Sequence, residues 1–98
     1  MAGMELESRI AALLRETEAA HGAYETEILG GNRDADWAGW YAAHLLDRGI
    51  AQFVPELGSQ GDEGLAATLA QLDADFRREQ PDTDWPQFYA RRLIAVAP

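Results

Sequence analysis

Residues 34–46 read DADWAGWYAAHLL, and residues 82–94 read DTDWPQFYARRLI. Set 48 residues apart without a gap, they share Asp34/Asp82, Asp36/Asp84, Trp37/Trp85, Tyr41/Tyr89, Ala42/Ala90 and Leu45/Leu93. Trp40/Phe88 and Leu46/Ile94 are close substitutions. Agreement that includes two of the chain's three tryptophans is the mark of a duplicated unit. Two copies are too few for a stacked solenoid, so the repeat predicts a compact pseudo-symmetric bundle.

A longer amphipathic stretch precedes each copy. In residues 4–29, Leu6, Ile10, Leu13, Leu14, Tyr24 and Ile28 fall at helical spacing, with Thr17 and His21 filling the gap. Gly22 costs such a helix about 1 kcal/mol but leaves the stripe in phase, so a continuous helix is expected. Gly30, Gly31 and Asn32 should end it. In residues 62–79 the stripe is Leu65, Leu69, Leu72 and Phe76, with Ser59 and Asp62 or Glu63 as the expected cap. Asp34 and Asp36, and likewise Asp82 and Asp84, are placed to cap the two motif helices, and Pro86 fits only a first helical turn. Gly49 should take the left-handed position after the second helix.

These segments predict an all-α domain over 1–98, with repeats 4–49 and 62–97 and a packed-down connector at 50–61. The order is long helix, short aromatic helix, connector, then long and short again: a four-helix bundle-like pair of hairpins. A chain of 98 residues, 47% apolar and 26% charged, holds one real core and is not disordered. No apolar run of membrane or signal-peptide length occurs, so a cytoplasmic location away from membranes is the expectation. The net charge of −9, with acids and arginines spread over both halves, supplies no basic patch for a phosphate backbone and argues against nucleic acid. Without cysteine, neither disulfides nor thiolate metal sites can form.

The motif helices carry apolar or aromatic residues around most of their circumference. Trp37, Trp40, Tyr41, Leu45 and Leu46 sweep one, and Trp85, Phe88, Tyr89, Leu93 and Ile94 the other. Such a helix is either central in its domain or covered by a partner. A homodimer, or docking to another protein through these aromatics, is the expectation.

Only two histidines occur, His21 and His44, both in the first half. Across a helical hairpin they could approach each other and, with Glu25 or Asp47, form a two-histidine, one-carboxylate metal site. The plainer reading gives each a carboxylate or tyrosine hydroxyl as hydrogen-bond partner. Arg92 replaces His44 in the second copy and calls for Asp36, Asp84 or Glu25 as counter-charge, or for a buried stem with its head in water.

The string HGAYE at residues 21–25, followed by DADWAGWYA, resembles small bacterial helical proteins with a His-x-x-Tyr-Glu segment before Asp-x-x-Trp-x-x-Trp-Tyr-Ala. The resemblance spans roughly residues 10–48. It implies that His21, Tyr24, Glu25, Trp37, Trp40 and Tyr41 act as one unit, and it implies no substrate, cofactor or catalytic residue. No nucleophile with a supporting base, phosphate loop or dinucleotide fingerprint is legible, so no catalytic residue and no cofactor are assigned. The sequence thus predicts a self-associating interaction module ahead of an enzyme, and leaves acid–base chemistry by a Glu25/His21 pair as the last of three readings. Its alternative is a ligand- or metal-binding protein built on His21, Tyr24, Glu25 and His44. The interaction candidates are those residues with Trp37, Trp40, Tyr41, Trp85, Phe88, Tyr89 and Arg92.

Overall fold

The computed structural model describes residues 2–95, with side chains from Glu5 onward. The expected end of the second repeat at 96–97 lies outside them. Within these residues the chain is all helix, without a strand: α1 (Ala2–Glu27), α2 (Trp37–Asp47), α3 (Ile50–Phe53), α4 (Pro55–Glu79) and α5 (Trp85–Ala95).

Five helices replace the expected four because the connector is itself helical. Gly49, at φ 89°, turns the chain out of α2, and Ile50 to Phe53 then close one turn. Pro55 opens α4 at a position where its missing N–H is not needed. The helix expected from Ser59 or Asp62 is therefore only the later part of α4. Gly61, at φ 71° and ψ −178°, breaks helical geometry between the two parts. The connector's apolar residues pack down in part: Ile50, Val54 and Leu57 are buried and Phe53 is half-buried, whereas Pro55 is exposed.

The first long helix runs through Gly22 without interruption. It ends in a glycine turn: Gly30 and Gly31 take positive φ, and the Gly31 N–H donates to the Glu25 carbonyl at 2.8 Å. Thr17 is fully buried in its stripe and stays satisfied because its hydroxyl donates to the Leu13 carbonyl at 2.7 Å.

The two short helices pack mainly on the long helix of the other half. α2 lies chiefly along α4, and α5 lies chiefly along α1. Ile10 and Leu14 of α1, Ala42 and Leu45 of α2, Leu65 and Leu69 of α4, and Ala90 and Leu93 of α5 meet in one buried core. Burying each such leucine contributes about 1.5–3 kcal/mol. Charged pairs rim the contacts: Arg91 of α5 with Glu7 of α1, and Arg15 of α1 with Asp84 just before α5.

Two glycines give opposite predictions for stability. A Cβ at Gly22 meets nothing within 4 Å inside a regular helix, so Gly22→Ala should raise unfolding free energy by about 0.5–1 kcal/mol in urea. Gly61 occupies backbone space that is nearly glycine-only, and Gly61→Ala should cost about 1–3 kcal/mol although its side chain has room.

Candidate functional site

The nine-residue loop 28–36 is tied back onto α1 by two hydrogen bonds of Asp34, and a third closes the loop's own turn. The Asp34 Oδ2 lies 2.9 Å from His21 Nε2, its backbone N–H donates to Glu25 Oε2 at 2.8 Å, and its Oδ1 accepts the Asp36 N–H at 2.9 Å. The expected role of Asp34 and Asp36 as caps is corrected here, since neither carboxylate caps α2. The physical reason is competition: a buried imidazole and a turn N–H already occupy the Asp34 oxygens. The His21 hydrogen bond holds the Asp34 carboxyl below its ordinary 3.8, with desolvation opposing and the Asp36 N–H and the imidazole charge assisting. At the second motif, Asp84 enters α5 through its carbonyl, which accepts the Phe88 N–H, and its carboxylate faces Arg15 at 3.6 Å.

His21 is 6% exposed and lies among Tyr24, Trp40 and Tyr41, with ring centroids at 6.1, 4.9 and 5.2 Å. His44 stacks on the other side of Trp40, 5.0 Å away and 12° from parallel, and pairs with Glu16 at 2.9 Å. The two histidines therefore do not converge on a shared ligand, because Trp40 packs against both and each has its own carboxylate. No group of three histidine, aspartate or glutamate side chains among the described residues could hold a metal ion, which overturns the metal site at His21, Glu25 and His44.

The second motif uses the same positions with different chemistry. Phe76 packs on Phe88 at 5.3 Å as Tyr24 packs on Trp40 at 5.5 Å. The Arg92 guanidinium sits 4.6 Å over the Phe88 ring, where His44 stacks on Trp40. Its carboxylate partner is Glu79 at 2.9 Å, not Asp36, Asp84 or Glu25, because Glu79 ends the helix that α5 folds back upon. Phe88 is 6% exposed and belongs to the core.

Between the motifs lies a cleft of about 440 Å³, lined by Trp37 and Tyr41 from α2 and by Trp85 and Tyr89 from α5. The rings are inclined to their neighbours: Trp37–Tyr41 at 5.5 Å and 89°, Tyr41–Trp85 at 6.4 Å and 58°, Trp85–Tyr89 at 5.0 Å and 73°. Glu18, His21 and Glu25 of α1, Arg33 and Asp34 of the loop, and Asp73, Phe76 and Arg77 of α4 complete the lining. Burial pushes the Tyr41 phenol up to about 12, and the Glu18 and Glu25 carboxylates add to it. Tyr89 is raised further by burial and by Asp73, whose Oδ1 accepts its hydroxyl at 3.4 Å.

Of the residues singled out from the sequence, His21, Glu25, Trp37, Tyr41, Trp85 and Tyr89 meet at this cleft. Tyr24, Trp40 and His44 form its backing, while Phe88 and Arg92 lie at the α4–α5 contact. Glu18, Arg33 and Arg77 carry no sequence signal as site residues. Asp73 was findable by setting Tyr24 opposite Phe76, which places His21 opposite Asp73. No family model, curated protein or solved structure matches the chain.

Two pH responses follow with opposite senses. Asp34 is more acidic folded than unfolded, so its contribution is present above about pH 4 and is lost as pH falls through its lowered value. Asp34→Asn should lower the melting temperature at pH 7, with the gap to wild type narrowing as pH falls below about 4. Tyr41 is less acidic folded, so stability present below pH 10 is lost as pH rises toward 12. Tyr41→Phe should change stability little at pH 7 and should reduce that alkaline loss, followed by phenolate absorbance and circular dichroism.

Proposed function

We propose that this chain is a binding module whose ligand occupies the cleft between Trp37–Tyr41 and Trp85–Tyr89. The observation that carries this reading is Tyr41. Its side chain lines the cleft and the residue is 8% exposed, yet its hydroxyl makes no hydrogen bond to any described residue. Glu56 Oε2 is the buried side-chain polar atom left without a partner among the described residues, so the Tyr41 hydroxyl opens onto the cleft and is free to bond water or a ligand. A volume of about 440 Å³ lies within the size range of small-molecule sites, and aromatic walls with a few convergent polar groups are their usual composition.

Binding is favoured over catalysis by the state of the cleft groups. Both phenols are held protonated at neutral pH and so serve as hydrogen-bonding groups, not nucleophiles. His21 is packed among three rings, with Asp34 on its Nε2.

Self-association through the motif helices has weaker support. Of the apolar sweep that suggested it, Tyr41, Leu45, Phe88, Tyr89 and Leu93 are buried within one chain, and Trp37, Trp40, Leu46, Trp85 and Ile94 are partly buried against the same core. Ile28, at 69%, is the one large apolar side chain that stands exposed among the described residues, far short of a stable dimer interface.

The test is heteronuclear NMR of the three indole N–H groups during titration with fragments of varied charge. Trp37 and Trp85 line the cleft and Trp40 does not, which makes Trp40 an internal control. Saturable shifts confined to Trp37 and Trp85 are expected; hits that cluster elsewhere, or none at all, would defeat the reading.

A further inference from the structure

We infer that the ligand of this cleft is a small organic cation, an alkylammonium or quaternary ammonium group held by the aromatic rings and by Glu18 and Glu25. The inference rests on the reading of the cleft as the binding site and adds its chemical class. Four carboxylates line the cleft against two guanidiniums, and Arg77 is already paired with Asp73 at 3.2 Å. Asp34 is likewise engaged with His21. Glu18 is exposed and forms no hydrogen bond or ion pair with a described residue, and Glu25 spends only its Oε2 on the Asp34 N–H. Arg33 is the lining guanidinium without a partner among the described residues, so two free carboxylates stand against one free cation and the balance facing the space is negative.

The walls select among cations. A ring quadrupole attracts a cation at its face, and mutually inclined rings can present such surfaces from several sides. A metal ion needs directed oxygen or nitrogen ligands, and no group of three suitable side chains is found among the described residues. An organic ammonium needs no such set, because its charge is spread over alkyl groups that also bury against indole and phenol. The unpartnered Tyr41 oxygen gives an alkylammonium N–H, or the hydroxyl of choline, an acceptor, and the Glu18 and Glu25 carboxylates add to the upward push that burial exerts on its phenol.

Choline and its uncharged carbon isostere, which has the same shape without the charge, form the decisive pair of probes for the intact chain at low ionic strength. Choline should shift the Trp37 and Trp85 indoles saturably and bind at least about tenfold tighter than the isostere. Glu18→Gln, which removes no contact within the described fold, should weaken choline about three- to tenfold and leave the isostere unchanged. Equal binding of the two probes would overturn the cation inference while keeping the cleft as a binding site. So would a choline titration that moves neither indole while another fragment does. If no fragment of any charge moves either indole, both readings fall together.

Discussion

Each short helix is held by the long helix of the opposite half, and most of the architecture depends on that exchange. α2 lies along α4, α5 lies along α1, and Ala42, Leu45, Ala90 and Leu93 are buried where these surfaces meet. Crossed in this way, the two motifs face each other. Tyr41 comes within 6.4 Å of Trp85, so the cleft belongs to both halves. Packing on the local partner alone would leave two separate aromatic pairs and no shared space.

Around this exchange, the first half carries a second device that the other half lacks. The loop 28–36 is four residues longer than 80–84, and Asp34 fixes it to α1 through His21 and Glu25. The residues of the His-x-x-Tyr-Glu and Asp-x-x-Trp strings are thereby one mechanical unit, whose polar members are two carboxylates and an imidazole. In the second half Asp73, from α4, meets the Tyr89 hydroxyl, and the shorter loop needs no such clasp. A symmetric pattern of apolar residues thus supports an asymmetric distribution of charge around the cleft.

Local chemistry made much of this legible. Glycines at 30, 31 and 49, the proline at 86 and the helical spacing from Leu6 to Ile28 each act within a few residues, and the chain obeys them. The segment 50–61 misled because Gly58 and Gly61 weaken helix propensity, whereas burial of Ile50, Val54 and Leu57 outweighs it. The Asp34 carboxylate misled for a related reason. Its capping position is a local property, but its partner is a histidine thirteen residues earlier that becomes available only when the loop closes. The wide apolar arcs of α2 and α5 are buried or partly buried against the core. Which surface covers them is a question of chain crossing, and periodicity carries no information about that.

The exchange also imposes an order on assembly during synthesis. The face of α1 that α5 covers has to wait while residues 28–95 are made, roughly 3–14 s at about 5–20 residues per second. Contacts available sooner are the short-range ones, with the Asp34 clasp and the α1–α2 hairpin first among them. A nascent chain can therefore fix its first loop early while Ile10 and Leu14 are still without their α5 cover. That interval, and not the finished fold, is when this apolar stripe is most open to a chaperone or to another nascent copy.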